Sequence, residues 1–381
     1  MLAVVDPGPL LTIQDAGRPG LGRLGVPPSG ACDWWGLAVA NLLVDAAPGA
    51  AALEVTFGGC TLEAIETCVV GLGGADLGAE RDDGRPLRRG TAHRVPAGAR
   101  IRFTGAERGM RAYVALAGGI AVGAWMGSAS TYAPGRLGFA DGRALQAGDQ
   151  LAPRRPGDLD AVGSVWPVRL APYPADKRGP LGIVTGPDLD AAPDGALEAL
   201  VAAAWRVSTS SDRMGLRLDG PSLGPGNEIV SHPLLPGAVQ LPPDGRPIVI
   251  LVDGPTIGGY PVLGVVPAAD LPRLGQLRPG DEVRFMPLDA EAARAQSRDN
   301  MRSWIVPRRP CARTPSGSGW RTAPGGEPAA GTPAVGQAAL EPRGKPAIPS
   351  RERRCGTRSG TRGDRMGRGP LEQRNSRIAS A

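Results

Sequence analysis

Four short stretches of the 381-residue chain hold most of its side chains with a capacity for chemistry. In ILVDGPTIGGYPVLGVV (250–266), Asp253, Thr256 and Tyr260 sit on a glycine-rich turn between two apolar runs. A turn pinned between core strands is where rigid scaffolds present reactive groups. In STSSDRMGLRLDG (208–220), Arg213 carries a planar fork that suits a carboxylate or a ureido oxygen. The competing reading is a surface ion pair of Arg213 with Asp212 or Asp219. In IVSHPLLPGAVQLPPDGRP (229–247), Gln240 is a further candidate contact and His232 is one of only two histidines. A lone histidine is more often a structural hydrogen-bonder than a catalyst.

The fourth stretch, QDAGRPGLGRLGVPPSGACD (14–33), has five glycines and three prolines between Ala16 and Ala31. Glycine enters positive φ freely and lets another backbone or a ligand approach closely. Proline lowers the entropy of the unfolded loop, so the ordered form costs less to hold. Such a loop is pre-shaped, and it could present Gln14, Asp15, Arg18, Ser29 and Asp33. A purely structural loop is the alternative.

Other chemistries are excluded by pattern. No G-x-S-x-G elbow and no Ser-His-Asp order is present. G-x-x-x-x-G-K-[ST] does not occur, and the single G-x-G-x-x-G match, GLGRLG (20–25), runs into Val26-Pro27-Pro28 and not into a helical run, so no phosphate-binding loop is expected. The five cysteines form no C-x-x-C pair, which with two histidines argues against a zinc site. No metal ligand set is expected, and reduced cysteines in a cytoplasmic protein are the simplest account. The start, MLAVVDPGPLL, lacks a basic region and meets proline early, unlike a signal peptide. No apolar run approaches a membrane span.

Charge is unevenly placed. The net +6 conceals fifteen Arg/Lys against five Asp/Glu from Ser303 onward, and a net of −4 before it. The body is mildly acidic, so a nucleic-acid reading from overall charge attaches to the wrong part of the chain. Gly and Pro make up about a quarter of the residues. Beyond 303 they join Arg, Ser, Ala and Thr with almost no apolar period, and this tail is expected to be disordered.

The elements that must position these stretches read mostly as β. Leu53, Val55 and Phe57 alternate with Glu54 and Thr56, the period of a half-buried strand. Further strands are expected over 61–66, 68–72, 100–103 and 111–116. A unit recurs as VPAGARIRF (95–103), LQAGDQLAP (145–153) and LRPGDEVRF (277–285), a glycine turn followed by an alternating strand. It marks either two similar halves closed by like strands or turns common to β proteins. Helices are few: 34–44 after a capping Asp33, 197–205 and 288–301. The first is apolar on nearly every face and so is expected to be buried. A linker is expected near 154–165, giving domains 1–160 and 161–302 and a tail 303–381.

The joint pattern resembles one family. TIQDAGRPG (12–20), PSGACD (28–33), ANLLV (40–44), ALEVTFGG (52–59), YVALAGGI (113–120), MGSAST (126–131), SSDRMGLRL (210–218), LLPGAVQLPPDGRPI (234–248) and GGYP (258–261) occur in family order over roughly 1–287. They resemble the biotin-dependent carboxyltransferase-like family, which includes the C subunit of 5-oxoprolinase, once assigned to allophanate hydrolase. The same module occurs in urea amidolyase and urea carboxylase. Departures are Ala129, Tyr132, Asp212 and Pro255, where relatives often carry Arg, Asp, Asn and Gln.

The resemblance implies two cyclophilin-like β-barrel subdomains. It implies a complex with the B and A subunits of 5-oxoprolinase that opens 5-oxoproline to glutamate with ATP. Alternatives are transfer of a carboxyl group from carboxybiotin on a separate partner to urea, and a non-catalytic regulator that binds a protein like the 5-oxoprolinase B subunit. Both chemistries act on a planar amide or ureido group and need donors for charge on its oxygen. Arg213 and Thr256 could supply donors, and Asp253 could take or orient the amide proton.

Overall fold

The computed structural model describes residues 1–105, 108–166, 176 and 178–303, with the side chains of 300–303 left aside. The expected tail therefore lies outside the described residues, as do Cys311 and Cys355.

Strands dominate because short alternating runs are interrupted by turn glycines. All three repeated units behave alike. Gly98, Gly148 and Gly280 have φ of +78°, +92° and +90°. Each turn closes from the residue after glycine, as in Ala99 N–H to Pro96 O at 3.1 Å, Asp149 to Gln146 at 3.1 Å and Asp281 to Arg278 at 3.0 Å. This is the type II turn, which needs positive φ at its third residue. Each glycine also donates to a neighbouring strand: Gly98 to Ala64, Gly148 to Val4 and Gly280 to Val207.

The first half of the chain forms two five-stranded antiparallel sheets. One runs in the order Gln150–Leu151, Leu2–Asp6, Thr61–Ala64, Arg100–Phe103, Ala79–Arg81. The other runs Leu10–Gln14, Ala52–Thr56, Arg111–Leu116, Cys68–Gly74, Ala92–Val95. A core of Leu, Val, Ile and Phe lies within these sheets. Helix α1 (Trp34–Leu42) covers the outer face of the second sheet, with seven of its nine residues buried. Asp33 caps it by accepting from the Gly36 N–H at 2.9 Å. The helix lies directly on the strand Cys68–Gly74: a Cβ at Gly73 would stand 2.0 Å from Gly36 O, and at Gly71 2.2 Å from Ala40 O.

The later residues form an eight-stranded sheet, in the order Glu282–Val283, Trp205–Val207, Gly215–Asp219, Ile248–Ile250, Ala238–Gln240, Val262–Val265, Leu181–Thr185, Phe285–Pro287. Its two edges are consecutive in sequence, joined at Arg284. The sheet is thus a nearly closed barrel around a core that includes Leu200, Trp205, Val239 and Leu263. Helices α2 (Ala196–Ala202), α3 (Leu271–Leu274) and α4 (Ala290–Ser303) flank it. A two-stranded ribbon pairs His232–Pro233 with Ile257–Gly258.

Three expectations are corrected. The strand holding Glu54 is buried on both faces, because α1 closes the side that the alternation left to solvent. The second helix stops at Ala202, and Trp205 turns into a strand with its indole N–H donated to Leu200 O at 2.9 Å. The segment 154–165 is tied to the first sheets instead of hanging free: Arg154 donates to Gly119 O and Val165 bridges Thr91.

Candidate functional site

Arg213 is the hub of a buried polar network on the seam between the two sets of sheets. The turn preceding the strand Gly215–Asp219 aims its side chain inward, and the residue is only 8% exposed. Nε donates to Asp253 Oδ2 at 2.7 Å. Nη1 donates to Glu54 Oε1 and to Cys32 Sγ, the latter at 3.2 Å. Nη2 donates to Gly30 O at 2.6 Å and reaches Asp253 Oδ1 at 3.5 Å. The surface ion pair with Asp212 or Asp219 is therefore not formed. All five guanidinium protons are engaged within the chain. Arg213 organises the site and is not a free donor.

Glu54, which the spacing of the polar stretches does not single out, anchors the network from the first half. It is fully buried and accepts from Tyr113 Oη at 2.8 Å and Cys32 N–H at 3.2 Å. Arg111 Nε stands 3.5 Å from Glu54 Oε1, an ion pair without hydrogen-bond geometry. Burial would raise the Glu54 carboxyl, but the Arg213 and Arg111 guanidiniums outweigh it and hold it below the usual carboxylate range. Burial likewise pushes the Cys32 thiol up to about 11, so it stays protonated.

The seam is fastened a second time by Gln276. Its Oε1 accepts from Met110 and Arg111 N–H, each at 2.9 Å. Its Nε2 donates to Asp33 Oδ2 at 2.7 Å and Arg111 O at 2.8 Å. Asp33 is thus a cap and a strut, fully buried. Burial raises its carboxyl to about 6.

The glycine-rich loop closes on itself before it meets this network. Gly17 and Gly30 lie back to back at φ +80° and +88°, and a Cβ on Gly30 would stand 2.9 Å from Gly17 N. Asp15 locks the loop to 128–130, accepting from Ser128 Oγ and Ser130 Oγ at 2.5 Å and Ala129 N–H at 2.7 Å. Gln14 donates to Thr131 O at 3.2 Å. Arg18 is buried beside them and donates to Ser130 O at 2.5 Å. Ser29 holds a strained φ of +51° and donates its N–H to Val252 O at 2.9 Å, next to Asp253.

The structure thus brings together Arg213, Asp253, Arg18 and Ser29. Thr256 adjoins the same loop, its Cβ 3.9 Å from where a Gly22 side chain would begin. Gln14 and Asp15 hold the loop, and Asp33 sits behind the network. Gln240 bonds Tyr260 O at 3.3 Å, and His232 bonds Asp188 Oδ2 at 2.9 Å in the adjoining ribbon, the structural reading for that histidine. A separate cavity of about 460 Å³ opens elsewhere on the seam, lined by Gly74, Arg89, Arg108 and Arg273, with Gln276 shared between it and the network. The buried network makes the better site, because its groups converge and the arginines of the cavity are largely paired. Among the described residues, no group of three His, Cys, Asp or Glu could hold a metal, and no helix is long and apolar enough to cross a membrane.

Comparison with known proteins agrees with this architecture. The family described as carboxyltransferase domain, subdomain A and B, matches residues 24–287. The chain is 35% identical to the C subunit of 5-oxoprolinase from Escherichia coli (strain K12), covering 79% of this chain and 96% of that one. It is 32% identical to urea amidolyase of Lachancea kluyveri over 76% of this chain but 17% of that protein. It superposes on the crystal structure of Kluyveromyces lactis urea carboxylase with a TM-score of 0.70 and 29% identity, covering 79% of this chain and 29% of that one. The chain spans less than a third of these two urea enzymes. By its profile, its identity over nearly the whole of a curated relative, and its fold, the protein belongs to the carboxyltransferase domain, subdomain A and B, family.

Proposed function

We propose that this chain is the C subunit of a cytoplasmic, ATP-dependent 5-oxoprolinase, acting with B and A subunits to open 5-oxoproline to L-glutamate. The observation that carries the reading is the Arg213–Asp253 pair. It joins the turn at 253–256 to the rigid 14–33 loop across the seam, which assembles one site from both halves. Likeness to the C subunit of 5-oxoprolinase along 96% of that protein supports the substrate.

The amide of 5-oxoproline is planar and resists attack. Its opening adds water, breaks the ring C–N bond and puts a proton on the departing nitrogen. The site therefore needs donors for charge on the ring oxygen and a group that holds the ring N–H and returns a proton to that nitrogen. Asp253 Oδ2 is held by Arg213 Nε, whereas Oδ1 meets only a distant Nη2 at 3.5 Å. Oδ1 is therefore the acceptor available to the ring N–H. Thr256 supplies a hydroxyl donor from the same turn. Arg213 keeps the Asp253 carboxylate in place and is a positioning residue. ATP is assigned to the partner subunits, since no G-x-x-x-x-G-K-[ST] occurs and GLGRLG (20–25) opens no α-helix. Biotin would enter only on a separate partner, and no step here runs through either.

A second reading, a carboxyltransferase component acting on urea or a related amide, is favoured by the superposition on urea carboxylase. Co-expression of this chain with B and A subunits, followed by a 5-oxoproline assay, separates the readings. ATP-dependent glutamate formation supports the first. No glutamate, with carboxyl transfer to urea from a biotinylated partner, supports the second. A stable complex with neither activity supports a regulator.

A further inference from the structure

We propose that Arg18 and Ser29 form the seat for the substrate's carboxylate, so that the site takes an anionic cyclic amide in preference to neutral urea. This deepens the reading above and rests on it.

Arg18 is a buried cation without a direct ion-pair partner among the described residues. The residue is 2% exposed, yet among the described residues no carboxylate lies within ion-pair distance of it. Its neighbours are committed elsewhere. Asp15 is taken by Gly17 N–H at 2.8 Å together with Ser128, Ala129 and Ser130, and Asp253 Oδ2 is taken by Arg213 Nε at 2.7 Å. Nη2 gives one proton to Ser130 O, while Nε and Nη1 have no partner among the described residues. Buried charges in folded proteins are ordinarily paired, and buried donors are ordinarily bonded. The guanidinium lies covered but shallow, and burial lowers its pKa despite the charges of Asp15 and Asp253.

Ser29 repeats the pattern. It is 4% exposed, strained at positive φ, and its Oγ has no partner among the described residues. The two residues are coupled by backbone: Arg18 N–H donates to Pro28 O at 2.7 Å, and Ser29 N–H donates to Val252 O. The open donors thus stand beside Asp253, and Arg18 feels its charge. In 5-oxoproline the ring N–H and the carbon bearing the carboxylate are adjacent. An acceptor for the N–H next to a cation for the carboxylate matches that order, and urea has nothing for the cation to hold.

The test is calorimetric binding to the full chain of 5-oxoproline, its carboxamide and 2-pyrrolidinone, with Arg18→Met and Ser29→Ala variants checked by thermal melting. Wild type should prefer the acid over the carboxamide by roughly 10- to 100-fold, the range for a hydrogen bond to a charged group. R18M should abolish that preference, weakening the acid far more than the carboxamide, and S29A should weaken the preference by roughly 5-fold. Should R18M not fold, S29A decides. Equal binding of acid and carboxamide, binding of none of the three, or an unaltered preference in the variants overturns the proposal and leaves the open donors to water. If the acid is preferred but the assembled complex makes no glutamate, the 5-oxoprolinase reading falls and the carboxylate seat stands. If glutamate forms and R18M retains full kcat/KM, the seat falls and the reading stands.

Discussion

Arg213 and Asp253 are joined twice: Nε meets Oδ2 at 2.7 Å, and the Asp253 N–H donates to the Arg213 carbonyl at 3.1 Å. Side chain and backbone together fix the carboxylate relative to the strand that carries the arginine. Five protons in a rigid fork are needed to reach Asp253, Glu54, Cys32 and Gly30 at once. Arg213→Lys keeps the charge and loses the fork. It is expected to cost about 3 kcal/mol of stability, the lower end for breaking a buried pair, and to lower turnover while the complex still assembles. Denaturant melts and size exclusion of the assembled complex check this.

Glu54 balances two buried arginines, so Glu54→Gln should be among the most damaging substitutions outside the hydrophobic core. The expected loss is roughly 3–5 kcal/mol, because among the described residues Arg111 keeps no other carboxylate partner and Arg213 keeps only Asp253. Asp76→Asn, on the exposed surface, serves as the control and should stay within about 0.5 kcal/mol. Equal melting curves for the two variants would contradict the role given to Glu54.

Much of this fold was legible because its signals are local. Glycine at the third place of a turn, alternation over four or five residues, and Asp33 before an apolar run each act through neighbours in sequence. Arg213, Asp253 and the 14–33 loop were also legible as rigid polar stretches. Glu54 was not, since alternation places it opposite Leu53 and Val55 and cannot reveal that α1 covers that face. Gln276 was equally hidden: it lies in a polar-looking turn after α3, and its partners Met110 and Asp33 are remote in sequence. The fully engaged state of Arg213 and the open state of Arg18 depend on tertiary contacts that no spacing encodes.

Asp33 makes stability depend on pH with a definite sign. Its folded pKa, raised to about 6, exceeds the unfolded value, so the folded state binds the proton more tightly. Its contribution is favourable at low pH and is lost as pH rises from about 4 to 6. The full cost of the buried charge is roughly 3 kcal/mol. Asp33→Asn keeps a capping oxygen and removes the titration. The stability difference, wild type minus D33N, should fall over this range and be flat above it. A flat difference throughout would show that Asp33 is not perturbed.

Two glycines separate backbone need from packing need. Gly280 lies at φ +90° with nothing within 4 Å of a Cβ, so Gly280→Ala should cost about 1–2 kcal/mol and leave activity intact. Gly30 combines φ +88° with contacts of 2.9–3.0 Å to the Gly17 and Asp15 backbones. Gly30→Ala should cost more, and should also lower turnover, because the carbonyl that holds Arg213 Nη2 must shift. Melting and turnover of both variants check the contrast.

The central claim is that Asp253, held by Arg213 at the seam, does the work on the substrate amide. The direct measurement is ATP-dependent glutamate formation from 5-oxoproline by the complex with B and A subunits, wild type against Asp253→Asn, at equal subunit occupancy. The account predicts glutamate from the wild-type complex and a loss of at least roughly 100-fold with D253N, with assembly unchanged. Wild-type rates from D253N would contradict it.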